Sequence, residues 1–108
     1  MVNNDYIEVN GPTSLAELVA AIDPSAPAPV GDDLVFELGG DVYATAQYDA
    51  VDADTWPYMV SIESRADDLL PVRTAAMRIL AAVQGAGWQF RMTSDADDTL
   101  IIESALSR

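Results

Sequence analysis

"LVFELGGDVYATAQY", residues 34–48, is the stretch whose reading decides the fold. Leu34, Phe36 and Leu38 alternate onto one side. Val42, Ala44 and Ala46 alternate back on that side, with Tyr43, Thr45 and Gln47 on the other. Period-two alternation marks strands with one buried face. Between the runs stands Gly39-Gly40-Asp41, and glycine supplies the positive φ that a tight turn needs. The stretch reads as a β-hairpin with one apolar face.

Outward from the hairpin, the same alternation returns at residues 58–64 (Tyr58, Val60, Ile62) and at 88–92 (Trp88, Phe90, Met92). Shorter strands fit residues 6–9 and 99–104. Two helices separate them. The first opens at Ser14 with Glu17 at capping-box spacing, and carries Leu15, Leu18, Val19 and Ile22 as one stripe. It ends at "DPSAPAPVG", residues 23–31, where three prolines forbid regular structure. The second starts at Asp67 or Asp68, accepts Pro71 in its first turn, and stops at Gly85-Ala86-Gly87. Its stripe is Leu69, Val72, Ala76, Ile79, Leu80 and Val83.

The order is β-α-β-β-β-α-β-β, predicting an α+β fold: a mostly antiparallel sheet with both helices packed on one face. Residues 1–108 suit a single domain. The order can also be read as a β-α-β-β unit written twice, over residues 5–48 and 58–104, with Ile7-Glu8 aligned on Ile62-Glu63. The sheet's other face would show Glu8, Glu37, Tyr43, Thr45, Gln47, Glu63, Gln89, Arg91 and Glu103. Such a face is wet, or covered by a partner.

Composition narrows function by exclusion. Half the residues are hydrophobic, so a core is available. Neither cysteine nor histidine occurs, which removes disulfides, Cys/His zinc sites and Ser/His/Asp nucleophile systems. Eighteen acidic residues face five arginines, for a net charge of −13. That surface repels nucleic-acid phosphates and anionic membranes, and it steers basic proteins inward. Acidity of this size also suits simple solubility or a salt-rich cytoplasm. The start, "MVNNDYIEVNG", lacks the basic and apolar regions of a secretory signal, so a cytoplasmic location is expected.

No catalytic signature emerges, and no cofactor or metal is expected. "DADDTLIIE", residues 95–103, lacks the spacing and the glycine of a calcium loop. "DAVDAD", residues 49–54, fails in the same way. Glu8, Glu63 and Glu103 share a sheet face but are read as solvated, with Arg91 or Arg65 as neighbour. No lysine exists to reach a phosphate. Met77, Met92 and Trp88 are read as core.

The candidate binding stretch is "YDAVDADTWPY", residues 48–58. Asp49, Asp52 and Asp54 lie there between Tyr48, Trp56 and Tyr58. Aromatics ringed by acids suit a basic partner, because Trp and Tyr anchor interfaces and charge speeds encounter. Asp95, Asp97 and Asp98 extend the field if the two turns adjoin. Trp56 either folds back as a lid over the edge of its own core or faces the partner.

Two resemblances carry related expectations. "YMVSIES", "LLPVRTAAMRILAAV", "GWQF" and "DDTLII", taken over residues 58–104, resemble small acidic immunity proteins that neutralise bacterial toxins. That likeness implies a non-enzymatic inhibitor of a basic toxin or nuclease. Over residues 13–104 the element order is similar to acidic secretion chaperones and their YbjN-like relatives, which implies a homodimer binding another protein. The extra strand at 6–9 and the missing closing helix depart from that class. A small-ligand or metal-binding domain using the glutamate face is the rival from another class.

Overall fold

The computed structural model describes residues 4–52, 54–66, 68–96 and 101–103, with the backbone alone at Ile101. The elements are β1 (Asp5–Asn10), α1 (Leu15–Ile22), β2 (Asp33–Gly39), β3 (Val42–Tyr48), β4 (Tyr58–Ser64), α2 (Leu69–Gly85), β5 (Gln89–Ser94) and β6 (Ile101–Glu103). This is the expected α+β order. All six strands join one sheet, ordered β2-β3-β4-β1-β5-β6, and every neighbouring pair is antiparallel.

The position of β1 is the topological fact that periodicity leaves out. It lies between β4 and β5, so those two strands run parallel to each other and α2 carries the chain across β1. The α1 connection instead joins antiparallel strands, and it delivers β2 to the outer edge where the second half places β5 inside. The two halves therefore occupy non-equivalent places in the sheet. The described residues 49–52 and 54–57 link the two halves as expected, as the loop of a hairpin between adjacent β3 and β4.

Local chemistry sets the boundaries. Ser14 caps α1, its Oγ accepting the Glu17 amide at 3.1 Å. Glu17 reaches back to the Thr13 amide (2.6 Å), one residue earlier than a reciprocal capping box would place it. Asp68 caps α2 by accepting from the Leu70 amide at 3.3 Å, while Asp67 lies outside the described residues. The first hairpin turns on Gly40 and Asp41, with Leu38 bulged between the Glu37–Tyr43 and Gly39–Val42 pairs; Gly39 and Gly40 both hold positive φ.

The core lies between the two helices and one sheet face. Ile7, Val9, Ala44, Val60, Ile62 and Met92 from the sheet meet Leu18, Val72, Ala76 and Val83 from the helices, all essentially solvent-free. Each large aliphatic so buried contributes roughly 1.5–3 kcal/mol. Met77, expected in this core, is 44 % exposed. One residue past Ala76 on a helix is a rotation of about 100°, which turns Met77 off the inward stripe. Trp88 is half-buried against the core edge and packs on Gly11. Gly11 holds φ 138°, and a Cβ there would overlap the indole, 2.9 Å from Cγ.

One charge pair enters this apolar layer. Asp5 follows the inward parity of Ile7 and Val9 and has no exposed surface. The Arg73 Nε donates to its Oδ2 at 2.7 Å, and Arg73 Nη2 also reaches Ser94 Oγ at 3.2 Å.

Candidate functional site

The helix-free face of the sheet is laid out in rows by the strand registers. One row runs Asp33, Gln47, Met59, Glu8, Arg91, Glu103. The next begins Val35, Thr45, Ser61, Tyr6, Thr93. The third begins Glu37, Tyr43, Glu63. This is the polar face that alternation predicts. Its glutamates do not gather: Glu8 takes Arg91 (Nε to Oε1, 2.9 Å), Glu37 takes Arg65 (2.7 Å), and Glu63 accepts from Asn4 Nδ2 at 3.2 Å. Among the described residues no three acidic groups converge to hold a metal ion.

The loop between β3 and β4 stands beside the middle of the first row, next to Gln47, Met59 and Glu8. Its neck is tied by the Asp49 amide donating to the Pro57 carbonyl at 2.7 Å. Asp49 Oδ1 accepts the Val51 amide (2.9 Å), the turn chemistry for which aspartate is suited. The Asp52 carbonyl then accepts from the Thr55 amide (2.9 Å) and Oγ1 (3.2 Å). Asn10, at the end of β1, donates from Nδ2 to the Thr55 carbonyl at 2.7 Å. These bonds tie the described residues of the loop to its own neck and to the end of β1.

Trp56 is half-buried and lies toward the helix-free face, with the Arg91 guanidinium carbon 5.6 Å from its ring centroid. Glu8 holds that guanidinium in place. A cation over an indole is worth about 0.5–1 kcal/mol at an exposed site, enough to fix an orientation. Trp56 does not join the core cluster, so the lid reading is not what the geometry shows. Instead the ring forms one wall of an open cleft of about 320 Å³, shared with Glu8, Gln47, Met59, Asp49 and Asp52.

The sequence-predicted residues divide. Trp56, Asp49 and Asp52 meet at this cleft, and Asp54 is exposed beside it in the same loop. Tyr58 does not present its ring there: it is 4 % exposed, on the helix side, because it shares parity with Val60 and Ile62. Burial pushes its phenol pKa up, with Tyr48 and Glu17 adding to the shift. Tyr48 packs on it, ring centroids 5.1 Å apart, and also borders the cleft. Asp95 lies at the opposite end of β1 from the loop, about 17 Å away along a strand of this length. There it accepts from Tyr6 Oη at 2.6 Å, which raises that phenol's pKa. The two acidic turns therefore do not adjoin at Asp95; Asp97 and Asp98 lie outside the described residues.

Several contributors were not singled out from sequence. Val51 is 90 % exposed at the loop. Met59 follows from β4 parity, since its neighbours Tyr58 and Val60 point inward. The Arg91–Glu8 pair was half visible, in that both were assigned to one face. No protein-family model matches this chain, and neither a curated protein nor a solved structure matches it.

Proposed function

We propose that the protein is an acidic, non-enzymatic protein-binding module that docks a basic partner on the 49–57 loop and the adjoining helix-free cleft. Its most concrete form is an inhibitor or immunity protein that neutralises a basic toxin or nuclease. The observation that carries this reading is Trp56: a large aromatic, half-exposed, braced by Arg91, and standing in the same loop as Asp49, Asp52 and Asp54. Anchors of this kind supply buried area, and the surrounding carboxylates supply the field that speeds encounter.

The test is kinetic. Immobilised protein captures its basic partner at low salt, and the identified partner is then titrated against variants. Trp56→Ala raises the off-rate and costs about 2 kcal/mol or more of binding. Neutralising Asp49, Asp52 and Asp54 to asparagine slows association and flattens its salt dependence. Unchanged rates in both variants would place the docking surface elsewhere. A captured secretion substrate would favour a secretion-chaperone-like protein, and a captured virion component a phage accessory protein, over the immunity form.

A further inference from the structure

The first hairpin leaves one edge of the sheet open, because β2 is the outermost strand. The Tyr48 amide donates to the Asp32 carbonyl directly opposite, at 2.8 Å. Alternation along an antiparallel ladder then makes Leu34–Ala46 and Phe36–Ala44 the hydrogen-bonded pairs. The amides and carbonyls of Asp33, Val35 and Glu37 consequently point away from β3. No backbone group among the described residues pairs with them. The connector after α1 borders the same edge, across a groove of about 410 Å³. Asp23, Ser25 and Pro27 form one wall, and Val35, Phe36 and Glu37 the other. Pro24, Pro27 and Pro29 have no amide to offer, so the connector is ill-suited to closing the edge itself. Val35, at the middle of the edge, is 57 % exposed.

We infer that the β2 edge is a strand-addition site whose occupant is an extended basic segment of a partner protein. The outward backbone groups supply the bonds, and alternate side chains of the added strand supply selectivity. Charge complementarity chooses the occupant. Asp23 lines the groove and the exposed Asp33 opens the edge strand; with Glu37 already held by Arg65, these two carboxylates favour lysine or arginine on the incoming strand. A second copy would bring the same acids and set one charge of −13 against another. This edge is distinct from the Trp56 cleft, and its test is independent of that reading.

The test uses the full chain and two short peptides that alternate lysine and valine. The second has alternate amides N-methylated, which keeps the charge but blocks strand pairing. The unmodified peptide is expected to bind at least tenfold more tightly. It is also expected to slow hydrogen exchange at the Val35 and Glu37 amides, read by NMR. Val35→Pro removes an outward amide without touching a ladder bond and abolishes the difference between the peptides. Should that variant not fold, the exchange pattern of the unaltered protein decides alone. Equal affinity for the two peptides overturns the proposal in favour of charge alone, and protection at residues other than 33–37 overturns the location. Protection of Val35 that rises with protein concentration, without peptide, makes a second copy the occupant and overturns the basic segment.

Discussion

The two faces of this sheet use the same chemistry for different ends. On the helix-covered face, Arg73 pairs with Asp5, whose carboxylate has no exposed surface. On the open face, Arg65 pairs with Glu37 at the same 2.7 Å, yet both side chains are more than half exposed. Distance does not separate the pairs; water does. The buried carboxylate has surrendered its hydration and depends on its partner, whereas the exposed one can return to solvent. The contrast explains why the open face tolerates exposed charge and aromatic groups, while the covered face holds the Asp5–Arg73 pair under strict satisfaction.

Breaking the covered face should have the largest effect. Arg73→Met leaves Asp5 buried without its cation and should lower stability by about 3–5 kcal/mol in urea denaturation. Replacing both partners with apolar residues should recover most of that loss. Gly11→Ala comes next, at about 1–3 kcal/mol, because it combines a positive φ with overlap on the Trp88 indole. A thermal midpoint within a degree of the parent would show that the indole simply moves aside.

On the open face the effects on folding shrink. Trp56→Ala should cost only about 1 kcal/mol of stability, the scale of a lost cation–π contact and partial burial. Its larger consequence should appear in partner binding. The smallest effect belongs to Glu37. Arg65 holds its carboxyl pKa below the ordinary 4.5, by hydrogen bond first. A depressed pKa stabilises the fold above the unfolded value and loses that contribution as pH falls through the folded one. Glu37→Gln should therefore leave neutral stability nearly unchanged and slightly flatten the acid limb below pH 4.5, an effect that salt diminishes.

What sequence reveals here is orientation, and what it conceals is adjacency. Alternation assigned Val42, Ala44 and Ala46 inward and Gln47 and Arg91 outward, because a strand's parity is a local property. It could not show that β1 inserts between β4 and β5, since the pairing partners lie 49 to 89 residues downstream. Asp5 was missed for a related reason. Its parity with Ile7 points inward, but a carboxylate at a strand's start reads as solvated until a cation from α2 is found opposite. Tyr58 follows Val60 and Ile62 inward, whereas its chain proximity to Trp56 suggests the loop cluster. Trp56 sits in a loop with no parity, so its direction rests on Arg91, which a linear reading does not place beside it.

The central claim is that the open face around Trp56 is the docking surface. Amide and indole chemical shifts of the labelled protein, followed while its basic partner is added, address it directly. The account predicts the largest changes at the Trp56 indole N–H and at Glu8, Gln47, Asp52 and Met59, with the Trp88 indole unmoved. Changes confined to α1 and α2, or to the Asp95 corner, with Trp56 silent, would contradict it.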